Sequence, residues 1–161
     1  MLEIRRAKLA DLERLCEIET ACFLECERAS QETIKKRVEV INDTFLVAEM
    51  AGFVVGAINA TTIEQDFISD DLFQSIKANL DVGHRLAILS VACDPAYQKQ
   101  GVAISLLDAI KKIALATKRN GITLTCKEHL ISFYENRGYE YMGIAKSTHG
   151  NQIWYNMLMK L

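Results

Sequence analysis

The stretch from Leu86 to Ile104 carries the strongest chemical signal in the chain. Leu86 to Cys93 is an apolar run broken only by Ser90. It is too short for a helix and is bounded by Asp94 and Pro95, so it reads as a strand buried on both faces. Pro95, the only proline, has no N–H to give a ladder and ends the strand in a turn. Gln98-Lys99-Gln100-Gly101-Val102-Ala103-Ile104 follows and opens a long amphipathic segment. A strand, a short polar loop with a glycine and then a helix leave free backbone N–H groups at a helix N-terminus, where a phosphate can sit. Gly101 has no Cβ, so the backbone can approach that phosphate closely. Lys99 either adds charge there or is a solvated surface lysine.

The other reactive residue types are scattered. Five cysteines, Cys16, Cys22, Cys26, Cys93 and Cys126, are odd in number and form no Cys-x-x-Cys. Reduced thiols fit this better than disulfides. Cys22 and Cys26 are four apart without a histidine cluster, so no metal site is expected. Cys93 and Cys126 read as small buried residues rather than nucleophiles. His149 lies in Ser147-Thr148-His149-Gly150, just before Trp154-Tyr155, a polar loop followed by an aromatic pair. Trp154 fits either a ligand wall or a core. His84 reads as a surface histidine.

Positioning elements surround these residues. Leu2 to Arg5 is a short strand, and the apolar stripe from Leu9 to Phe23 predicts a helix. Leu24 to Ala29 is a polar, acidic connection. Ser30 is a good N-cap for a helix running to about Val40. Thr44–Met50 and Phe53–Ala60 are strands joined by an Ala51-Gly52 hairpin turn. Gly56 predicts a bulge or a close backbone approach. Ser69 and the apolar residues Leu72, Phe73, Ile76 and Leu80 predict an inserted helix ending before Gly83. Val102 to Thr117 is a helix, with Lys118, Arg119 and Gly121 suited to its C-terminal end. Ile122–Cys126 is a strand, Leu130–Asn136 a helix, and Tyr139–Ala145 and Ile153–Met159 the last strands. No repeat or linker divides residues 1–161, so one domain is expected.

Composition narrows the function classes. With 161 residues, 50% hydrophobic and 25% charged, the profile is that of a globular protein with a real core. A net charge of -2 and an isoelectric point near 5.9 argue against a nucleic-acid or anionic-membrane surface. No stretch approaches the ~18 apolar residues of a membrane span. The N-terminus lacks an apolar signal segment, which gives the expectation of a cytoplasmic protein.

Gln-x-x-Gly-x-Ala after a strand ending Val-x-x-Asp-Pro resembles the acetyl-CoA pyrophosphate loop of the GNAT N-acetyltransferase superfamily. Further on, Phe133-Tyr134-Glu135-Asn136-Arg137-Gly138-Tyr139 resembles the Phe-Tyr-x-x-x-Gly-Tyr/Phe closing motif of the same enzymes. The longer pattern Leu124-x-Cys126-x-x-x-Leu130-x-x-Phe133-Tyr134 is similar to arylalkylamine (serotonin-type) N-acetyltransferases. The element order matches throughout. The resemblance implies an α/β fold: one mixed sheet of six to seven strands with helices on both faces. It also implies direct, metal-free acetyl transfer from acetyl-CoA to a primary amine of a small molecule. Protein or peptide N-acetylation and a non-catalytic acyl-CoA sensor are the alternatives. The acceptor, the acyl preference and the oligomeric state, a homodimer included, stay open.

The resemblance also implies roles by position. A bulge near Val91, Ala92 and Cys93 would aim a backbone N–H at the thioester carbonyl and hold the pantetheine. Gln98, Lys99, Gln100, Gly101, Val102, Ala103 and Ile104 would wrap the pyrophosphate, and Asn136 would touch the coenzyme. Tyr134 would return a proton to the leaving thiolate. The arylalkylamine enzymes carry two histidines on the central strand, but Ala87 and Leu89 stand at those positions, so that proton route is absent. His149 and Trp154 would wall the acceptor site, and acidic residues such as Glu27 would attract a cationic amine.

Overall fold

Seven strands form one sheet in the computed structural model, which describes residues 1–161. They are β1 (Leu2–Arg6), β2 (Phe45–Met50), β3 (Phe53–Ile63), β4 (Arg85–Cys93), β5 (Gly121–Cys126), β6 (Glu140–Ile144) and β7 (Tyr155–Lys160). The spatial order is β1-β2-β3-β4-β5-β7-β6. Every neighbouring pair is antiparallel except β4 and β5, which run parallel. The crossover that a parallel pair requires contains the helix Val102–Ala116, which is α3 in chain order.

Apolar stripes place the helices on both faces. On one face α1 (Leu12–Cys22) and α2 (Gln31–Val40) bury Leu15, Ile18, Ile34 and Val38 against Phe45, Val47, Val54, Ala57 and Ala92. Ser30 caps α2, its hydroxyl accepting the Thr33 N–H at 3.1 Å. On the other face α3 buries Val102, Leu106, Leu107 and Ile110 against Val55, Ile58, Leu86 and Ile88. Tyr134 of the short helix α4 (Ile131–Glu135) joins that second cluster.

The feature that makes a site is where the sheet comes apart. The β4–β5 ladder holds from Arg85↔Gly121 to Ile88↔Leu124 and then stops. Beyond it β4 stays with β3 as far as Cys93↔Gly56, while β5 follows β7 to Cys126↔Tyr155. The two parallel strands splay, and the β5-facing edge of β4 is left without a ladder. A one-residue bulge marks the start of the opening: Ile88 pairs with Ala60 and Ser90 with Asn59, leaving Leu89 unpaired. The extra residue flips the alternation. Leu86 and Ile88 before it, and Val91 and Cys93 after it, face the α3 core, while Ala92 faces α1 and α2. The bulge expected near Val91 to Cys93 therefore lies slightly earlier, where the β5 ladder ends. The second half of β4 is also half-buried rather than buried on both faces, because it borders the opening.

Two other expectations change. The segment after β3 forms only a short 3₁₀ turn at Asp70–Phe73, not a helix through Leu80. The Ser69 hydroxyl bonds the Asp71 carboxylate instead of capping a backbone N–H. The rest is fastened by side chains: Asn79 bonds Thr62 and Thr44, and Arg119 donates to the Leu80 and Gly83 carbonyls. Gly56 meets both halves of its prediction. It follows a bulge at Val55, and a Cβ there would stand 2.6 Å from Val102 Cγ1.

Candidate active site

A cavity of about 660 Å³ occupies the opening and reaches both faces of the sheet. Ile88 to Val91 and Leu124 to Lys127 line it from the parted strands, and Tyr134 from the α4 side. Glu19 and Cys22 of α1, and Ser30, Thr33 and Arg37 around α2, line it from the opposite face. Glu27, Phe73, His149 and Trp154 close it through loops. No group of three or more His, Cys, Asp or Glu side chains is arranged to hold a metal ion.

Tyr134 is 8% exposed, wedged edge-on between Phe133 and Tyr139 at centroid distances of 5.1 and 5.7 Å. Burial raises its phenol well above the ordinary tyrosine range, so it stays protonated through neutral pH. Cys126, also in the lining, is pushed up to about 11 by burial, which makes its thiol a poor nucleophile. Cys22 is likewise pushed up to about 11 by burial, and its thiol donates to the Cys93 carbonyl at 3.1 Å.

The loop into α3 is exposed and made of backbone. Lys99 and Gly101 adopt left-handed φ values of 62° and 80°. None of the N–H groups from Lys99 to Ile104 donates to a backbone carbonyl. Open space surrounds the Gly101 Cα: a Cβ added there would meet nothing within 4 Å. Six unclaimed donors at the start of a 15-residue helix form a ready anion seat.

The opposite end is made of side chains. The Glu19 carboxylate accepts the Ala29 N–H at 2.8 Å, and burial lifts its carboxyl above the ordinary range. Lys127 Nζ reaches Glu27 Oε1 at 2.6 Å as an ion pair without the alignment of a hydrogen bond. His149 stacks on Phe73 at 4.4 Å, and its Nε2 lies 3.0 Å from the Glu27 carbonyl. A carbonyl only accepts, so that nitrogen carries the proton. Trp154 Nε1 donates to the His149 carbonyl at 2.8 Å. Asp70 bonds the Ser147 hydroxyl, joining the inserted segment to this loop. Gly150 has φ 64°, and a Cβ on it would meet Glu27 Cγ at 2.8 Å, so only glycine lets the two loops close.

Of the residues expected from sequence, Val91, Tyr134, Glu27, His149 and Trp154 border this one cavity. Ala92 and Cys93 continue β4 beyond it, and Gln98 to Ile104 lie apart from it, exposed from Gln98 to Gly101 and buried at Val102. Asn136 is exposed at the C-terminal end of α4, away from the lining. Sequence reasoning missed Glu19 and Arg37. Glu19 sits on the helix read for its apolar stripe and Arg37 on the helix read from its Ser30 cap, and neither reading singles out one charged residue.

An extended ligand with phosphates on the α3 seat and a reactive end in the strand opening fits this arrangement, which is the layout of an acyl-CoA transferase. The model of the acetyltransferase (GNAT) domain family matches residues 42–141, more than half of the chain. The chain belongs to the GNAT acetyltransferase family. Among solved structures it is similar to the GphF GNAT-like decarboxylase in complex with isobutyryl-CoA, at TM-score 0.82 and 19% identity over 98% of each chain. The ribosomal-protein-S18-alanine N-acetyltransferase from Escherichia coli matches at TM-score 0.73 and 17% identity, covering 99% of this chain and 94% of that one. The PaiA N-acetyltransferase from Thermoplasma acidophilum, in complex with coenzyme A, matches at TM-score 0.73 and 18% identity, covering 100% and 99%. At these identities the likeness shows a shared fold. No helix is long and apolar enough to cross a membrane.

Proposed function

We propose that the protein transfers an acetyl group from acetyl-CoA directly to the primary amine of a small molecule. The carrying observation is the cavity that spans the sheet, with the buried Tyr134 phenol on one side and the Glu19 carboxylate on the other. Lys99 to Ile104 hold the pyrophosphate. The unladdered edge of β4, from Leu89 to Cys93, offers its amides to the pantetheine and one N–H to the thioester carbonyl.

The neutral amine attacks the thioester carbon, forming a C–N bond and an oxyanion. Collapse of that oxyanion breaks the C–S bond and releases the coenzyme A thiolate. One proton leaves the amine nitrogen and one reaches the sulfur, giving amide and free thiol. Tyr134, protonated at neutral pH, supplies the proton or hydrogen bond to sulfur. Ala87 is fully buried with Ile63 and Ile68, and Leu89 is apolar, so no strand histidines drain the amine proton. Glu19, whose carboxyl burial raises above the ordinary range, faces the acceptor side instead.

A small acceptor is favoured over a peptide by the loop closure. Glu27, Phe73, His149 and Gly150 meet over the acceptor end, and the space beneath suits a metabolite. The test is release of coenzyme A thiol from acetyl-CoA with a panel of small amines and, separately, peptides. Small amines are expected to react. Turnover with peptides alone would replace this reading with protein N-acetylation, and acetyl-CoA binding without turnover would replace it with a sensor.

A further inference from the structure

We propose that the acceptor carries a carboxylate that pairs with Arg37 while its amino group faces Glu19, so that the substrate is an amino acid or a close analogue. The amine half rests on the acetyl-transfer reading above; the carboxylate half rests on Arg37.

Arg37 is 4% exposed and nonetheless lines the cavity. Its guanidinium has five N–H donors. Its one hydrogen bond runs from Nη1 to Asn59 Oδ1 at a long 3.4 Å, and it makes no ion pair. Two other arginines that the fold takes partly out of water are paired with carboxylates: Arg5 holds Asp11 and Glu49, and Arg14 holds Asp94 and Glu17. The buried Arg119 donates to two backbone carbonyls, although its Nε has no partner. The Glu19 carboxylate acts on the Arg37 charge through space but makes no ion pair with it. Burying a guanidinium without a paired anion costs several kcal/mol, and that cost persists only where something offsets it. A carboxylate entering the cavity offsets it in the planar two-point geometry that arginine favours.

Position assigns the anion to the acceptor. Asn59, which holds Arg37, pairs across the sheet with Ser90, directly beside the Leu89 bulge. Arg37 therefore stands at the strand opening on the α1–α2 face. Tyr134 and the α3 loop belong to the opposite face, so the coenzyme phosphates are not the partner. Glu19 and Arg37 line the same space without touching each other, one negative and one positive wall. The two charges of a zwitterion match that polarity.

The experiment compares amino acids with their own carboxamides as acceptors, using wild type, Arg37→Lys and Arg37→Met. Wild type is expected to favour the carboxylate on the order of 10²-fold in kcat/KM, the usual effect of pairing a desolvated charge. Arg37→Met should erase that preference mainly through KM, and Arg37→Lys should keep part of it. A binding arm needs no turnover: calorimetry of an N-acetylated amino acid and its amide on the CoA-loaded protein should show a wild-type preference that Arg37→Met abolishes. Unchanged CoA affinity in both variants checks that they are folded. Equal use of amides and carboxylates by wild type overturns the proposal, as does a preference that survives Arg37→Met. So does an Arg37 dependence that appears only with succinyl-CoA in place of acetyl-CoA, which would put the anion on the acyl group. If no amine is acetylated, the transfer reading fails, while the binding arm still decides the carboxylate site.

Discussion

On the α3 side the proposed coenzyme seat comes from one contiguous run, Lys99 to Ile104, whose backbone N–H groups are unclaimed and whose first residues, Lys99 to Gly101, are exposed. On the α1–α2 side the proposed acceptor wall comes from Glu19, Arg37 and the loops at Glu27 and His149, and is made of side chains packed into the fold. The first surface is indifferent to most side-chain changes and costs little stability, because free N–H groups in water are already solvated. The second is specific and costly, because charges have been taken out of water to make it. Tyr134, on the α3 face, borders the cavity that forms the seam between the two.

The largest expected effect is at that seam. Tyr134→Phe keeps the ring and its edge-on packing against Phe133 and Tyr139 but removes the proton. In a chemistry-limited assay kcat should fall by ~10²–10⁴, the usual loss of a general acid. Acetyl-CoA affinity and the thermal midpoint should not move. A near wild-type kcat would reduce Tyr134 to packing.

Next comes the coenzyme seat. Gly101→Val places a branched side chain at φ 80° and projects it into the open space where phosphates belong. The left-handed backbone costs about 1–2 kcal/mol for an L-residue. Acetyl-CoA Kd should rise at least about tenfold, the equivalent of 1.4 kcal/mol. Calorimetry showing unchanged affinity in a folded variant would move the seat elsewhere. The carboxylate-over-amide preference should survive this substitution, since the two surfaces are separate.

The smallest effect is the most telling about cost. Burial raises the Glu19 carboxyl, so the folded state favours its protonated form. That contribution is fully present below the unfolded value of about 4.3 and is lost as pH rises through the raised folded value. At pH 7 the wild type therefore carries a half-buried carboxylate that Glu19→Gln does not. The variant should be more stable at pH 7, by about 2–4 °C in Tm for each 1 kcal/mol recovered, and no more stable near pH 4. It should also lose the lower limb of the kcat/KM pH profile. Gly101→Val should show no such pH dependence. Equal midpoints at both pH values would mean that the acceptor side carries no stability cost.

Much of the fold was legible in residue order, and so was the exposed glycine turn proposed as the coenzyme seat. The apolar run Leu86–Cys93, Pro95 and Gly101 specify strand, stop and helix start through local rules: chain stiffness, a missing N–H and a missing Cβ. Tyr134 was legible as a candidate because Phe133 to Tyr139 is one contiguous motif, and it lines the cavity. The acceptor side was not. Arg37 and Glu19 look like ordinary charges on amphipathic helices until α1 and α2 are laid against β3 and β4. The inserted segment read as a helix from its apolar spacing, but side chains from Thr44, Thr62 and Arg119 hold it as a loop, and no local pattern encodes partners so distant. The strand opening arises because β5 stays paired with β7 throughout while its ladder with β4 ends at Leu124, an outcome set by pairing across the sheet. Sequence alone determined the pieces whose geometry depends on neighbouring residues. Tertiary structure decided the bulge at Leu89, the cavity and the unpaired charge of Arg37, because each exists only where segments far apart in the chain meet and exclude water.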